Sequence, residues 1–250
     1  MPCHRKTGIA RPSANLEPVQ HRGEHLSERS CRKTIAHYRS QVDWLMRLPE
    51  WEPLYAEGLL ALNLPQPRRG INLRSLLDTL LLENKYKLIG WAFENSRILF
   101  PASHARRILE LFGLDTSQIR QRDETLSARQ WETFRERVEA ALHECHRRYK
   151  RAQMVLFRRY QSLLHNLVNR QVFDPEKRPD AFQEASIGLI HAIDKVEDSS
   201  ASLGSYARTW ISRHIRNYLM EQHFPVHVPI NLASKILRYN EDDGNSNGNG

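Results

Sequence analysis

The sequence has little of what disulfide-bonded or membrane-spanning proteins need. Its 250 residues contain only three cysteines, Cys3, Cys31 and Cys145, and these are widely separated. That spacing indicates a reducing cytosol and argues against a disulfide framework. No segment approaches ~20 consecutive apolar residues, and the basic amino terminus has no apolar core of signal-peptide length. We therefore expect a cytoplasmic protein with no membrane partner.

Signatures of catalysis are missing as well. The sequence contains no nucleophile–base pair, and its glycines are not grouped to cradle a phosphate. His143, Cys145 and His146 are close in sequence, but on a helix they point in different directions, whereas structural zinc needs four converging ligands. We predict no enzymatic activity, no metal site and no cofactor.

What the sequence does contain is positive charge and enough apolar residues for a core. The formal net charge is +8, and 40% of the residues are hydrophobic. An excess of positive charge favours a polyanionic partner, although many basic proteins bind none.

Apolar residues recur at three- and four-residue steps over most of the chain, which predicts an all-α protein. Residues 1–33 are polar, basic and irregular, and we expect a flexible tail there. Residues 34–125 predict an accessory helical module of no recognised family, with a helix opened by Asn72. A capping box, Ser127 with Gln130, then predicts one helix of ~40 residues that ends before Asp174.

The stretch from Asp180 to Pro229 describes a more specific task, and it begins with a short amphipathic helix. Asp180 is the predicted N-cap, with Gln183 three residues on. The apolar stripe of this helix comprises Phe182, Ala185, Leu189, Ile193 and Val196. Its other residues, including Gln183, Glu184, His191 and Asp194, are expected to face elsewhere.

A second short helix follows, with Ser205 as its predicted N-cap. Its apolar stripe comprises Ala207, Trp210, Ile211, Ile215, Tyr218 and Leu219, and its opposite face carries Thr209, Ser212, Arg213, Arg216 and Asn217. No acidic residue occurs between Ser199 and Met220. Such a face suits a partner that offers phosphates and base faces, while the plain alternative is a solvated surface.

The spacing of these residues resembles region 2 of the bacterial sigma-70 family of transcription initiation factors. The resemblance rests on Asp180, Gln183-Glu184, Ile187-Gly188-Leu189, Ala192-Ile193-Asp194-Lys195, Ser205-Tyr206-Ala207, Trp210-Ile211, Ile215, Gln222, Val228 and Pro229. It implies an all-α, sigma-factor region 2 helical domain over residues 126–229, with a long leading helix, preceded by the accessory helical module.

The resemblance also implies two partners. In the family the first helix docks on a coiled coil of the largest catalytic subunit of core RNA polymerase, which here implies contacts by Asp180, Gln183, Glu184, Ile187 and Asp194. The second helix reads the non-template strand of the minus-10 promoter element. The implied DNA-binding residues are Tyr206, Arg208, Thr209, Trp210, Ser212, Arg213, Arg216 and Asn217. Tyr206 matches the aromatic that stacks on a flipped-out adenine. The resemblance also leaves open an anti-sigma factor as a further partner.

Departures from the family pattern point to altered promoter reading. Thr209 stands where the family has the first tryptophan of a pair, and Arg213 and Arg216 replace the usual glutamine and threonine. Because arginine favours guanine edges or phosphates, we predict a changed sequence preference. Because Thr209 replaces a tryptophan, we also predict weaker separation of the DNA strands.

Residues 230–250 are expected to start a helix of the family's third region, with Asn231 as N-cap and Leu232 to Tyr239 as the helix, and to end in a disordered tail. We expect no helix-turn-helix domain for the minus-35 element, so the chain is read as either a truncated product or a natural short form. Three functions stay open: a sigma-like initiation factor, a truncated polymerase-binding regulator or decoy that no longer reads promoters, and a basic helical DNA-binding protein without a polymerase partner.

Overall fold

The computed structural model describes residues 26–67, 70, 72–96, 100–120, 123–196 and 202–223. These residues form eight α-helices and no β-strand, which confirms the predicted all-α class. The helices are α1 (Glu28–Leu45), α2 (Glu52–Ala61), α3 (Leu73–Thr79), α4 (Leu82–Asn95), α5 (Ala102–Leu111), α6 (Ala128–Gln171), α7 (Arg178–Lys195) and α8 (Leu203–His223). The expected helix at Leu232 to Tyr239, the carboxyl-terminal tail and residues 1–25 lie outside the described residues.

Helix α6 is the axis of the fold, and the sequence predicts it well. Its 44 residues begin at the capping box, in which the Gln130 side chain accepts from the Ser127 N–H at 3.0 Å and the Ser127 hydroxyl accepts from the Gln130 N–H. One stripe, which includes Phe134, Val138 and Leu156, is buried. Helices α1, α4, α5, α7 and α8 all pack on α6, so a helix of ~40 residues is stabilised here by tertiary contacts rather than by a coiled-coil partner.

Helix α1 begins at Glu28, so the flexible tail expected over residues 1–33 does not extend to residue 33. The Ser27 hydroxyl accepts from the Ser30 N–H at 3.1 Å, and Cys31 and Ile35 are completely buried. Arg29 and Lys33 are exposed on this amphipathic helix, whereas Arg32 is buried.

The accessory helices differ from the prediction at one point. The Asn72 side chain caps a helix as expected and accepts from the Ser75 N–H at 2.7 Å. The leucine-rich stretch then forms two helices, α3 and α4, because Leu80 and Leu81 adopt extended backbone conformations. The three- and four-residue spacing of the leucines continues across Leu80 and Leu81, so the sequence pattern does not reveal the break.

The accessory module and the rest of the chain share one hydrophobic core. Helix α1 packs on both α6 and α7. The ring of Tyr38 stacks on that of Tyr149 with centroids 4.7 Å apart, and its hydroxyl lies 2.9 Å from His146 Nδ1. The division between residues 34–125 and 126–229 that the sequence suggests therefore does not separate two cores.

Helices α7 and α8 both begin two residues before their predicted caps. A single 3-10 turn, Pro175–Lys177, leads directly into α7, and Asp174 Oδ1 accepts from the Glu176 N–H at 3.0 Å. Asp180 therefore lies in the first turn of α7 rather than at its cap. In the first turn, the helix dipole still stabilises its carboxylate. Helix α8 begins at Leu203, so Ser205 is inside the helix and is not its N-cap.

Gly188 sets the distance between α7 and α8. A methyl carbon at this position would lie 3.0 Å from the Trp210 carbonyl oxygen and 3.1 Å from Ile211 Cα, both of which are backbone atoms. The two helices can approach this closely only because residue 188 has no side chain. The buried partners on α8, Ala207, Ile211 and Ile215, then close the interface.

Asp194 holds the carboxyl-terminal end of α7 to the rest of the fold. The carboxylate is 3% exposed, and its Oδ1 accepts from the Tyr149 hydroxyl at 2.9 Å and from Gln153 Nε2 at 2.8 Å, both on α6. Arg39 of α1 donates to the carbonyl oxygens of Asp194 and Val196 at 3.0 and 3.2 Å. The prediction that Asp194 contacts a polymerase is therefore wrong for this conformation, because its side chain is buried and already bonded.

Burial raises the pKa of Asp194, while the Tyr149 and Gln153 hydrogen bonds favour its charged form.

No described helix has the length and hydropathy of a membrane span.

We predict that Gly188→Ala destabilises the protein by about 1–3 kcal/mol, because the added methyl group would press on the backbone of α8. The measurement is chemical denaturation followed by circular dichroism. Gly90→Ala in α4 is the matched control, since a methyl carbon there meets nothing within 4 Å and should add up to about 1 kcal/mol of stability through helix propensity. Equal effects at the two glycines would contradict the close α7–α8 contact.

Asp194→Ala should destabilise the protein by about 1–3 kcal/mol, because it leaves the Tyr149 hydroxyl and the Gln153 amide buried without their acceptor. Asp194→Asn keeps an acceptor oxygen and should cost less. The same denaturation assay compares the two variants. If Asp194→Ala matches the parent, the assigned role of the carboxylate is wrong.

The raised pKa of Asp194 adds a pH dependence. The folded state holds this proton more tightly than the unfolded state, so its contribution is complete below the ordinary aspartate pKa and is lost as pH rises through the raised value. As the pH rises through the raised pKa, the free energy of unfolding of the parent should therefore fall relative to that of Asp194→Asn. A difference between the two proteins that is constant with pH would contradict this expectation.

Candidate functional site

The outer face of α7 presents most of the residues expected to bind polymerase. Asp180 and Gln183 are exposed, Glu184 is half-exposed, and Ile187 has 39% of its surface accessible. They follow one another at three- and four-residue steps, so they share one side of the helix. The face therefore combines carboxylates, a carboxamide and an apolar side chain, and the buried Asp194 is not part of it.

The outer face of α8 carries the exposed arginines. Arg208, Arg213 and Arg216 are exposed, and no carboxylate among the described residues pairs with them. Tyr206, Thr209 and Arg213 recur at three- and four-residue steps and so lie on one side of α8. Because their charge is not neutralised by the protein, these arginines are available to phosphates or base edges.

Four of the predicted DNA-binding residues, Tyr206, Trp210, Ser212 and Asn217, are only partly exposed. Ser212 accepts a hydrogen bond from Gln171 Nε2 at 2.9 Å, which ties the end of α6 to α8. Asn217 and Trp210 are also intermediate in exposure. The hydroxyl proton of Ser212 is still free to donate, but its oxygen already has one partner.

Trp210 is held against α7 rather than projecting from the surface. Its ring stacks on His191 with centroids 5.6 Å apart and planes at 12°, and Lys195 Nζ lies 5.6 Å from its centroid. Tyr206 meets the Trp210 ring edge-on at 6.2 Å. Trp210 therefore supports Tyr206 edge-on, and both rings are partly exposed.

Two histidines line the α7–α8 interface, a feature that the sequence prediction missed. His191 stacks on His214 at 5.4 Å, and His214 Nδ1 lies 3.8 Å from a Glu184 carboxylate oxygen. Burial, with smaller effects from His214 and Lys195, lowers the pKa of His191 to about 4. Burial also lowers the pKa of His214, although Glu184 acts in the opposite direction. At neutral pH both rings are neutral, so the positive charge of α8 comes from its arginines.

The interface histidines could have been suspected from the sequence, since Trp210 and His214 are four residues apart and share a side of α8. Their contact with His191 depends on the α7–α8 crossing, which the sequence does not show.

Among the described residues, no three histidine, cysteine, aspartate or glutamate side chains come together as a metal-binding group. Of the clustered residues on α6, His146 Nδ1 lies 2.9 Å from the Tyr38 hydroxyl and His143 Nδ1 lies 3.1 Å from the Tyr86 hydroxyl. The His146 ring also stacks on the ring of Tyr86, with centroids 3.9 Å apart.

Comparison with known families locates this site within a recognised domain. Residues 156–224 match the family model for sigma-70 region 2. The match covers residues 156–171 of α6 and the whole of α7 and α8, which carry both candidate surfaces. No curated protein and no solved structure matched the chain significantly. Residues 156–224 therefore carry the region 2 domain of the sigma-70 family, whose members are DNA-binding transcription initiation factors.

Proposed function

We propose that this protein acts in transcription initiation by binding core RNA polymerase through the outer face of α7 and the non-template strand of the minus-10 element through α8. The observation that carries the proposal is the arrangement of two adjacent helices in the family-matched segment, one with an exposed acid-and-amide face and one with an exposed, acid-free arginine face. A protein with this role works in the bacterial cytoplasm and needs no cofactor.

The polymerase-binding part of the proposal rests on Asp180, Gln183, Glu184 and Ile187. Their mixture of charge, hydrogen-bonding capacity and accessible apolar surface suits a protein partner, in which a central apolar contact is surrounded by polar ones. The partner that the family implies is a coiled coil of the largest polymerase subunit. Asp194 contributes indirectly, because it fixes the end of the helix that bears these residues.

The promoter-binding part rests on Tyr206 and the arginines. A base must leave the stack before it is read, which costs a few kcal/mol, and stacking on an aromatic ring returns about 1–3 kcal/mol per base. Tyr206 is partly exposed beside Trp210 and near Arg213 on the same side of α8. The arginines supply attraction to the phosphates or to guanine edges.

A second function is favoured by one observation. Thr209 is exposed on the outer face of α8, where an aromatic side chain would be expected to help open the duplex. A protein that docks on polymerase but separates strands poorly would act as a regulator or decoy. This alternative keeps the α7 surface and lacks specific strand binding. Measurements of the two surfaces therefore separate the candidates.

The Gln183→Ala, Glu184→Ala double variant should bind core polymerase more weakly by about 2 kcal/mol or more, because central interface residues carry most of the binding energy. Capture of the core enzyme on immobilised protein measures this. The control is Gln161→Ala with Glu136→Ala, two exposed side chains on α6. Undiminished capture by the α7 variant would exclude this surface as the docking site.

Tyr206→Ala should weaken binding to single-stranded minus-10 oligonucleotides by about 1–3 kcal/mol, since it removes a stacking platform. Fluorescence anisotropy over a salt series measures the loss, and Tyr206→Phe, which keeps the ring, should bind like the parent. Binding that is equally strong without the ring would refute the stacking role. If capture of polymerase is intact while the parent itself shows no specific strand binding, the decoy is the better description.

A further inference from the structure

A cavity of about 300 Å³ lies between α5, the turn at Gln118 and Ile119, and the start of α6. Its last lining residue along α6 is Arg137, 19 residues before the family-matched segment. At about 1.5 Å of rise per residue, that separation is about 28 Å along the helix axis. Neither of the two proposed partners, polymerase and promoter DNA, therefore accounts for this cavity, whose size is at the lower end for small-molecule sites.

The floor of the cavity is apolar. Leu109, Ile119 and Phe134 line it and are 1%, 5% and 3% exposed. The Phe134 ring is held in place by the rings of Phe100 and Trp131, with centroids 5.7 and 5.5 Å away. A ligand with an apolar body gains free energy by covering this floor, because it removes apolar surface from water.

Most neutral polar groups around the cavity already have partners within the protein. Ser127 and Gln130 bond one another in the capping box, and Gln130 Nε2 also donates to the Gln118 carbonyl oxygen at 3.3 Å. The Thr133 hydroxyl donates to the Arg129 carbonyl oxygen at 3.1 Å. These groups shape the cavity, and the choice of ligand falls to its charged groups.

The charged groups that line the cavity are two arginines. Arg129 is exposed, and its guanidinium makes no hydrogen bond or ion pair within the described residues. Arg137 is half-buried and donates from Nη2 to the Asp115 carbonyl oxygen at 2.9 Å. No acidic side chain in the described part of the chain lines the cavity. Both guanidinium groups therefore keep N–H donors for an anion.

Two carboxylates near the cavity are engaged elsewhere. Asp115 accepts from the N–H and the hydroxyl of Ser117, and these bonds, with a smaller effect of Arg137, lower its pKa. Asp123 Oδ2 accepts from a backbone N–H and from Gln130 Nε2, at 3.0 and 3.2 Å. Neither carboxylate forms an ion pair with the arginines of the cavity, so an external anion does not have to displace one.

We propose that this cavity binds a small organic anion, with its apolar body on the floor and its carboxylate or phosphate group on Arg129 and Arg137. Guanidinium groups hold such oxyanions by charge-assisted and often paired hydrogen bonds. A ligand in this place contacts α5, the turn and α6 together, so it stabilises the folded chain by mass action. The site is independent of the proposed binding of polymerase and promoter DNA.

Isothermal titration calorimetry of the full-length chain tests the site with three anions, naphthoate, octanoate and phenyl phosphate. We expect saturable one-to-one binding of at least one of them, and the comparison separates carboxylates from phosphates. The neutral analogues naphthamide, octanamide and phenol keep the apolar bodies. Each should bind at least about tenfold more weakly than an anion that binds, because it lacks the charged hydrogen bonds to arginine.

Variants locate the binding. Arg129→Gln and Arg137→Gln should each weaken binding of the anion by about tenfold, the loss expected for one charged hydrogen bond. Arg151→Gln is the matched control, since Arg151 is an exposed arginine of α6 that does not line the cavity. It should bind like the parent. Thermal unfolding of the unliganded variants checks that each is folded.

Three results would overturn the proposal. They are no saturable binding of any of the three anions, parent-like affinity in both Arg129→Gln and Arg137→Gln, and an equal loss in Arg151→Gln. The last result would assign the binding to the overall charge of the chain. Capture of polymerase and binding of oligonucleotides are measured on α7 and α8, so their failure would leave this site unaffected.

Discussion

The close contact between α7 and α8 at Gly188 is the constraint on which the candidate site depends. The backbone of α8 packs directly against residue 188, so the distance and crossing angle of the two helices can vary little. That crossing brings His191 onto Trp210 and His214, and Trp210 in turn supports Tyr206. The two outer faces therefore keep a fixed orientation relative to one another.

A second set of contacts fixes the end of α7 and joins the accessory helices to the site. Asp194 bonds Tyr149 and Gln153 on α6, and Arg39 of α1 bonds the last carbonyl groups of α7. Because these groups are buried, each hydrogen bond that is lost leaves a polar atom without solvent. This network joins α1 to α6 and α7, so the accessory helices have a structural reason to influence the site even though they match no family.

The distribution of charge follows from the same packing. Many cations outside α8 have acidic neighbours: Lys85 pairs with Asp43, Lys150 with Glu83, and Arg148 with Glu144. The exposed arginines of α8 have none among the described residues, and the interface histidines are held neutral by burial. The arginines of the helix that the family match associates with DNA are thus available to a polyanion.

The sequence by itself determined the all-α class, the long helix α6 with its capping box, and the two amphipathic helices of the sigma-70 pattern. These are local properties, since a side-chain period of 3.6 residues and a cap three residues away are written along a single segment. It also identified the exposed arginines of α8, because they lie opposite a clear apolar stripe. The extent of the amino-terminal tail was misjudged, because composition alone does not distinguish a tail from an exposed helix face.

The tertiary structure decided where Asp194 points, how His191 meets Trp210, and that a cavity exists between Leu109 and Phe134. Each of these depends on residues 19 to 45 positions apart in the sequence, and no local pattern encodes their distance. Asp194 shows the reason most clearly: its neighbours in sequence suggest an exposed carboxylate, and only the arrival of Tyr149 and Gln153 from α6 makes its burial favourable.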